Sequence, residues 1–435
     1  MYQLKDTGYI ILAWSGLFLI HSCSLDEGPQ GTTAPALQLN VNQELSITNL
    51  SWNPVKVTDF KEYVLLQSSG DIPNSPTPQI NANVSVIKRI DNDDITSHAS
   101  TDILLSPQTC YKLYAAVGDR FLYSPTVCVT KNITLITGFY DRISHEKGHQ
   151  EIAMFDRNIN AVSTYTLENP GVSASIQESF FSSPNVHLST YNGVRQVFIS
   201  GSSQSTIKRY NLPGLTNVFS KSVSTGIESL ISSGPFVYVC FTNLSNSFQI
   251  LNRDNLTLVD SRLGFSFQFG RVLGVFPGDP TVVLEVSSSG TNRYEIDSDG
   301  KIINELLIPG LTIQADLQGS TAQGENIFIC GLRGTIINKS AEVLNELNPS
   351  FGTNIINVKL SSDEKTAVAL LSNSVTSTLE YYDLSDLNHI TLRKKIELSQ
   401  ASFADLVIEN DKVYLFGVTF DSGSSQTFIL NFPLF

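Results

Sequence analysis

Five consecutive residues, His145-Glu146-Lys147-Gly148-His149, carry the spacing of the HExxH zinc pattern. That chemistry needs two imidazoles one helical turn apart to hold the metal and a glutamate to take a proton from its bound water. Glu168 lies 19 residues past His149, where a third ligand would stand. The surroundings argue against it: Gly148 weakens a helix, the flanks lack a sustained 3.6-residue apolar period, and His149 to Glu168 reads as two strands around a turn at Asp156. The expectation is a solvated loop, with no metal and no cofactor implied. Adventitious metal binding by His145 and His149, and a zinc metalloprotease, are the alternatives. Glu285 stands in an apolar strand at a position filled by Cys240, Cys330 and Phe416 in similar segments. A buried carboxylate needs a partner, and Arg271 or Arg293 is the expected one, with a general acid of polysaccharide cleavage as the alternative. Asp91-Asn92-Asp93-Asp94 lacks the glycine and distal glutamate of a calcium loop and reads as a solvated turn. None of the six histidines sits in a Gly-x-Ser-x-Gly or Cys-His setting, so no catalytic residue is assigned.

The elements that must position these groups are strands. The chain has 435 residues, 41% hydrophobic and only 16% charged, with 28 Gly and 17 Pro spread along it, which suits many short strands and turns. Its net charge of −13 disfavours nucleic acid and anionic membrane surfaces as partners. Two of the five cysteines, Cys110 and Cys128, flank a hairpin whose turn is centred on Asp119. Residues that pair across such a turn have numbers summing to 238, which sets Cys110 opposite Cys128 and predicts a disulfide. Cys240 and Cys330 read as buried small hydrophobes.

Residues 8–20 (GYIILAWSGLFLI) form an apolar run of signal-peptide length, too short to span a bilayer comfortably. It ends at Ile20-His21-Ser22-Cys23, which resembles a bacterial lipoprotein box. The acidic Ser24-Leu25-Asp26-Glu27-Gly28 that follows is similar to the leader of Bacteroidota surface lipoproteins. The resemblance implies a signal peptide over 1–22, lipidation at Cys23, a tether over 23–36, and an outer-membrane, cell-surface address; the alternative is a periplasmic or secreted protein with an ordinary signal.

Residues 37–130 resemble a fibronectin type III-like, Ig-like β-sandwich. Leu45 to Val55 alternates into Trp52, Tyr63-Val64-Leu65-Leu66 supplies the next strand, and Leu105 to Tyr111 is similar to the tyrosine corner of that class. Its expected role is a spacer.

Residues 131–435 contain an internal repeat. A short apolar strand recurs at Thr134–Thr137, Val197–Ser200, Val237–Cys240, Val282–Glu285, Ile327–Cys330, Ala367–Leu370 and Val413–Phe416. Each is followed by an apolar residue and Asp or Asn: Phe155-Asp156, Tyr210-Asn211, Leu251-Asn252, Ile296-Asp297, Ile337-Asn338, Tyr382-Asp383 and Leu430-Asn431. Glycine followed by an apolar residue, as in Gly171-Val172 and Gly226-Ile227, marks the start of an innermost strand. The reading is all-β, with the sandwich followed by a seven-bladed β-propeller similar in blade length to the YVTN, NHL and WD-repeat class; a six-bladed or irregularly closed ring is the alternative. Copy 1 reads as beginning at its second strand and copy 7 as ending at its third. There is no Trp-Asp dipeptide and no sialidase box.

In such a ring the loops between blades share a face with the loops joining second and third strands, and that face is where a ligand is expected. It is read to hold the loop from Tyr140 to Glu151, residues 169–183, and phenylalanines at the blade entries. The candidate ligand-binding residues are Tyr140, Arg142, His145, His149, Phe180, Phe181, Phe265 and Phe351, with interface-plugging phenylalanines as the alternative. The functional reading is a non-enzymatic surface lipoprotein that binds a glycan or a partner protein and touches the membrane only through its lipid. A polysaccharide-degrading enzyme is the alternative.

Overall fold

The computed structural model describes residues 36–434 except 45–46, 82, 101–107, 131–132, 169–170, 179–183, 202–203, 224–225, 242–247, 263–270, 277–278, 288–289, 309–320, 332, 351–353, 373–376, 399–401 and 422–423. The signal peptide, Cys23 and all of the tether except Ala36 lie outside these residues. Leu37–Phe435 forms one compact unit, and among its described residues there are strands and turns but no α-helix.

Two sheets come first. Strands Leu39–Glu44, Ile47–Trp52 and Ser97–Ser100 make one; Val84–Ile90, Phe60–Ser68, Gln108–Val117 and Arg120–Tyr123 make the other, with Val127–Thr130 also paired to Gln108–Val117. Leu50, Trp52, Tyr63, Leu65, Tyr111 and Leu113 share one buried cluster. Tyr63 meets Trp52 edge-on at 5.4 Å and its hydroxyl accepts from Val55 N at 2.7 Å. Tyr111 lies on the sixth strand, and its hydroxyl donates to Thr48 Oγ1 at 3.2 Å. The residues upstream of it, 101–107, are outside the described set.

Cys110 and Cys128 form the expected disulfide. The register that delivers it differs from the simple hairpin. Val117 pairs with Arg120 and Tyr114 with Tyr123, a turn whose pairs sum to 237. One residue is gained between Tyr123 and Val127, where the Ser124 hydroxyl accepts from Leu113 N at 3.1 Å, and Cys110 then faces Cys128.

Seven four-stranded antiparallel sheets follow, here numbered I to VII: Tyr140–Gln177, Pro184–Ser222, Ile227–Arg262, Val272–Ile308, Thr321–Glu346, Asn354–Leu398, and Ser402–Pro433 completed by Ile133–Thr137. The first strand of each sheet lies against the first strand of the next, and that of sheet VII against that of sheet I. One apolar cluster sits between every successive pair, including Met154 and Tyr165 of sheet I with Tyr414 and Phe416 of sheet VII. Second strands are apolar almost throughout because neighbours cover both their faces: Phe236–Phe241 is buried at every residue. Fourth strands, with one neighbour, are largely exposed, as in Ile302–Ile308.

First strands of adjacent sheets do not pair by backbone, so side chains fill the gap. The Ser144 hydroxyl accepts from Leu188 N at 2.8 Å, the Ser229 hydroxyl accepts from Leu273 N at 3.2 Å, and the Ser189 and Ser232 hydroxyls meet at 2.5 Å. The Asp/Asn marker does what its chemistry suggests: Asp297 Oδ1 accepts from Asp299 N and Lys301 N, Asn252 Oδ1 from Asp254 N, and Asp383 Oδ1 from Ser385 N.

Three assignments of the repeat need correction. Thr134–Thr137 is not the second strand of sheet I; it belongs to Ile133–Thr137, the fourth strand of sheet VII, paired through Ile429↔Thr134. Phe155-Asp156 therefore ends a second strand, where its counterparts Leu251-Asn252 and Ile296-Asp297 end third strands. Gly171-Val172 opens the outermost strand of sheet I, whereas Gly226-Ile227 does open an innermost one.

Candidate functional site

A cavity of about 1040 Å³ lies among the first strands and opens where first strands turn into second strands. Sheet I brings the turn after His145, sheet III Ser233 and Gly234, sheet V Gly324 and Glu325, sheet VI Ser362, and sheet VII Asn410 and Asp411.

The stretch from Tyr140 to Glu151 was expected to be a loop at the other end. It is instead the first strand of sheet I, Tyr140–His145, and the tight turn that follows. The alternation that makes it a strand is short and interrupted by polar residues that bond to neighbouring sheets, which is why it read as irregular. No helix presents His145 and His149 on one face. His145 Nε2 bonds to the carbonyl oxygen of His149 at 2.7 Å, closing the turn, and Gly148 adopts φ +83°, the left-handed region that suits glycine. Glu146 accepts from Thr190 N at 2.6 Å and Thr190 Oγ1 at 2.7 Å on sheet II. Lys147 Nζ donates to the Ser362 carbonyl at 2.8 Å on sheet VI, and Gly148 N to Glu409 Oε2 at 3.0 Å on sheet VII. Glu168, the spaced third ligand, lies 3.5 Å from Lys412 Nζ. The five residues of the zinc-like pattern thus tie one turn to three other sheets. Among the described residues no group of three or more His, Cys, Asp or Glu is placed to hold a metal ion.

Tyr140 is buried, its hydroxyl bonded to that of Tyr165 in the cluster between sheets VII and I. Arg142, two residues on, is half-buried and acts electrostatically on Asp405, whose carboxyl burial pushes upward while Lys359 and Arg142 oppose it. Phe180, Phe181, Phe265 and Phe351 lie outside the described residues, as do most loops of the face on which they were expected.

Three groups at the cavity wall, Arg253, His187 and Lys359, were missed. Arg253 is fully buried yet forms no carboxylate pair within 4 Å among the described residues. Its Nε donates to Gln196 Oε1 at 2.8 Å, Nη1 to the Gly234 carbonyl at 3.3 Å, and Nη2 to the Ser189 carbonyl and hydroxyl at 3.0 and 2.8 Å. Burial lowers it to about 10. His187, on the first strand of sheet II, is lowered to about 4 by burial and then by Arg253. His145 is likewise held at about 4 by burial, and its Nε2 lies 3.5 Å from Glu409. Lys359 lines the wall from sheet VI, next but one after the buried Asn357, which bonds Asp405. The three missed groups come from different repeats, His187 and Lys359 from first strands and Arg253 from the turn after Leu251-Asn252, so local sequence carries almost no signal of their meeting.

Away from the cavity, Glu285 finds the expected partner: Arg271 Nη1 donates to it at 3.3 Å, with Tyr294 Oη at 2.7 Å and Asn292 Nδ2 at 3.3 Å. Arg293 instead serves Glu295 and the Lys339 carbonyl.

No protein-family model matches the sequence, and no curated protein matches it. Among solved structures the chain is similar to the RRP9 WD40 repeats, with TM-score 0.51 and 10% identity over 69% of this chain and 98% of that one. It is similar also to the β-propeller domain of Cps50 (Swd1) from Myceliophteria thermophila, with TM-score 0.52 and 12% identity over 68% and 98%. A third is U3-55K, with TM-score 0.52 and 11% identity over 69% and 98%. At such identities the likeness is one of fold, and the fold is a β-propeller.

Proposed function

We propose that this chain is a non-enzymatic binding scaffold, lipid-anchored at Cys23 on the outer-membrane surface, in which a fibronectin type III-like sandwich spaces a closed seven-bladed propeller that receives a partner protein. One observation carries the reading. Among the cavity residues whose types could do chemistry, Glu146, Lys147 and Glu409 are engaged in joining one sheet to another, and His145 closes its own turn while facing Glu409 of sheet VII. A catalytic acid or base must be free to meet substrate, whereas a scaffold needs a rigid rim. Seven sheets in contact first to last, with the strand before sheet I completing sheet VII, support the closed ring. Two facing sheets around Trp52 and Tyr63 support the sandwich. Propellers widely serve as interaction platforms, which favours a protein partner.

The test places a photo-cross-linker at Asn410, on the cavity rim, and another at Ile303, on an outer strand, in the full chain in its native membrane. A defined partner band from Asn410 that is absent from Ile303 is expected, with no turnover of a polysaccharide panel. Turnover by the purified protein, or equal labelling from both positions, would overturn the proposal.

A further inference from the structure

We infer that the Cys110–Cys128 disulfide is a redox switch, opened by a dithiol protein of the Cys-x-x-Cys kind through attack on Cys128, and that opening it frees the strand leading into the one that completes the ring. Nothing in this depends on what the cavity binds. The two halves of the bridge stand in different surroundings. Cys110 is wholly buried within Gln108–Val117, a strand with Phe60–Ser68 on its other side, where Ser68 pairs with Cys110. Cys128 is exposed, on the four-residue edge strand Val127–Thr130. Thiol–disulfide exchange needs an attacking thiolate to reach one sulfur, and exposed bridges are the ones open to reductants. Here one cysteine can be reached and the other cannot.

The position of the bridge gives its opening a consequence. Val127–Thr130 pairs on one side only, through Tyr111↔Val127, Cys110↔Cys128, Thr109↔Val129 and Gln108↔Thr130, and Val127 and Val129 are half-buried against the cluster around Trp52. Just ahead of it, Thr126 Oγ1 donates to the Ile72 carbonyl at 2.7 Å. So short a strand with one neighbour frays readily once its covalent tie is cut. Three residues after Thr130 comes Ile133, which opens the fourth strand of sheet VII, so loosening passes straight to Ile133–Thr137. In the reaction the reductant's thiolate bonds to Cys128 Sγ, and the S–S electron pair leaves on Cys110 Sγ, which takes a proton. The reductant's second thiolate then displaces Cys128, which is protonated in turn, leaving two protein thiols and an oxidised reductant. Cys240 and Cys330 are buried, and burial raises both thiols, that of Cys330 to about 12, so neither competes when the bridge re-forms.

The experiment uses the full-length protein, folded in neutral buffer without denaturant, and a Cys-x-x-Cys reductase whose second cysteine is replaced by serine, so that exchange stops at the mixed disulfide. Peptide mass spectrometry should find the adduct on Cys128 and none on Cys110. With the intact reductase, amide exchange should become about tenfold faster in Val127–Thr130 and Ile133–Thr137 and stay unchanged in Phe236–Phe241. Reoxidation should reverse the change. Cys110→Ala combined with Cys128→Ala should exchange like the reduced wild type; if that variant fails to fold, the reversible reduction of the wild type decides. An adduct on Cys110, a bridge that yields only in urea, or exchange unaltered by reduction would each overturn the inference.

Discussion

Glu146 sits in a zinc-like pattern, yet both its carboxylate oxygens are engaged by Thr190 of the next sheet. Sequence spacing alone could not separate these roles, because HExxH has meaning only on a helix and the turn is set by the Gly148 backbone and by sheets far along the chain. Glu146→Ala should therefore act on stability, lowering it by about 1–3 kcal/mol in urea titration. Chelator should leave the wild-type melting temperature unchanged; a chelator-induced drop would restore a metal role. The histidines give a pH signature. Burial holds His145 and His187 at about 4 in the folded chain, against 6.5 when unfolded. Between those values the unfolded chain binds more protons, so stability is fully present above about pH 6.5 and is lost as pH falls toward 4, by up to about 1.4 kcal/mol per pH unit for each group. Replacing both with Asn should flatten the fall in urea midpoint between pH 7 and 5, and an unchanged slope would show that other groups control it. Glu285 was legible as a buried carboxylate in need of an arginine; its loss in Glu285→Ala strands Arg271 next to Glu228, 3.6 Å away, and should cost about 3–5 kcal/mol.

At the scale of elements, the informative strand is Ile133–Thr137. Ile133 packs in the cluster between sheets VI and VII, and Ile136 in the one between VII and I. One strand thus joins the two ends of the repeat, and in sequence it looks like the beginning of copy 1. That explains both what could be read and what could not. The recurring apolar strands were visible because both faces of a second strand are covered, which leaves an unbroken hydrophobic run such as Phe236–Phe241. Their assignment in copy 1 slipped by one strand because Leu135-Ile136 has the same local pattern, and only pairing with Ser424–Pro433, some 290 residues later, tells them apart. The cavity was unreadable for a related reason, since Lys359 and His187 lie on different sheets and form no local motif. Ile133→Ala with Ile136→Ala should lower stability by about 2–5 kcal/mol per site if the strand closes the array as described. Hydrogen exchange should show faster opening in Lys412–Asp421 and Glu151–Asp156 than in Phe236–Phe241. Uniform loss of protection would instead mean that the sheets open as one unit and that this strand is no special seam.

For the whole molecule, the proposed surface address raises the question of what would hold the chain at a membrane. A net charge of −13 is repelled by anionic headgroups, and no helix among the described residues is long and apolar enough to cross a bilayer. Attachment of the mature chain to the outer membrane therefore depends, on this proposal, on acyl chains at Cys23, each buried methylene contributing about 0.8 kcal/mol. Electrostatics offers no second signal, so the anchor should be all or nothing. In cells making Cys23→Ala, the protein should lose incorporated palmitate and move from the membrane pellet to the soluble fraction. The two N-terminal sheets and the propeller should remain folded in that fraction, with Cys110–Cys128 still bridged and the wild-type melting temperature retained. A Cys23→Ala chain that stays in the pellet after an alkaline carbonate wash would show a different attachment, and labelled palmitate persisting on it would place the lipid elsewhere.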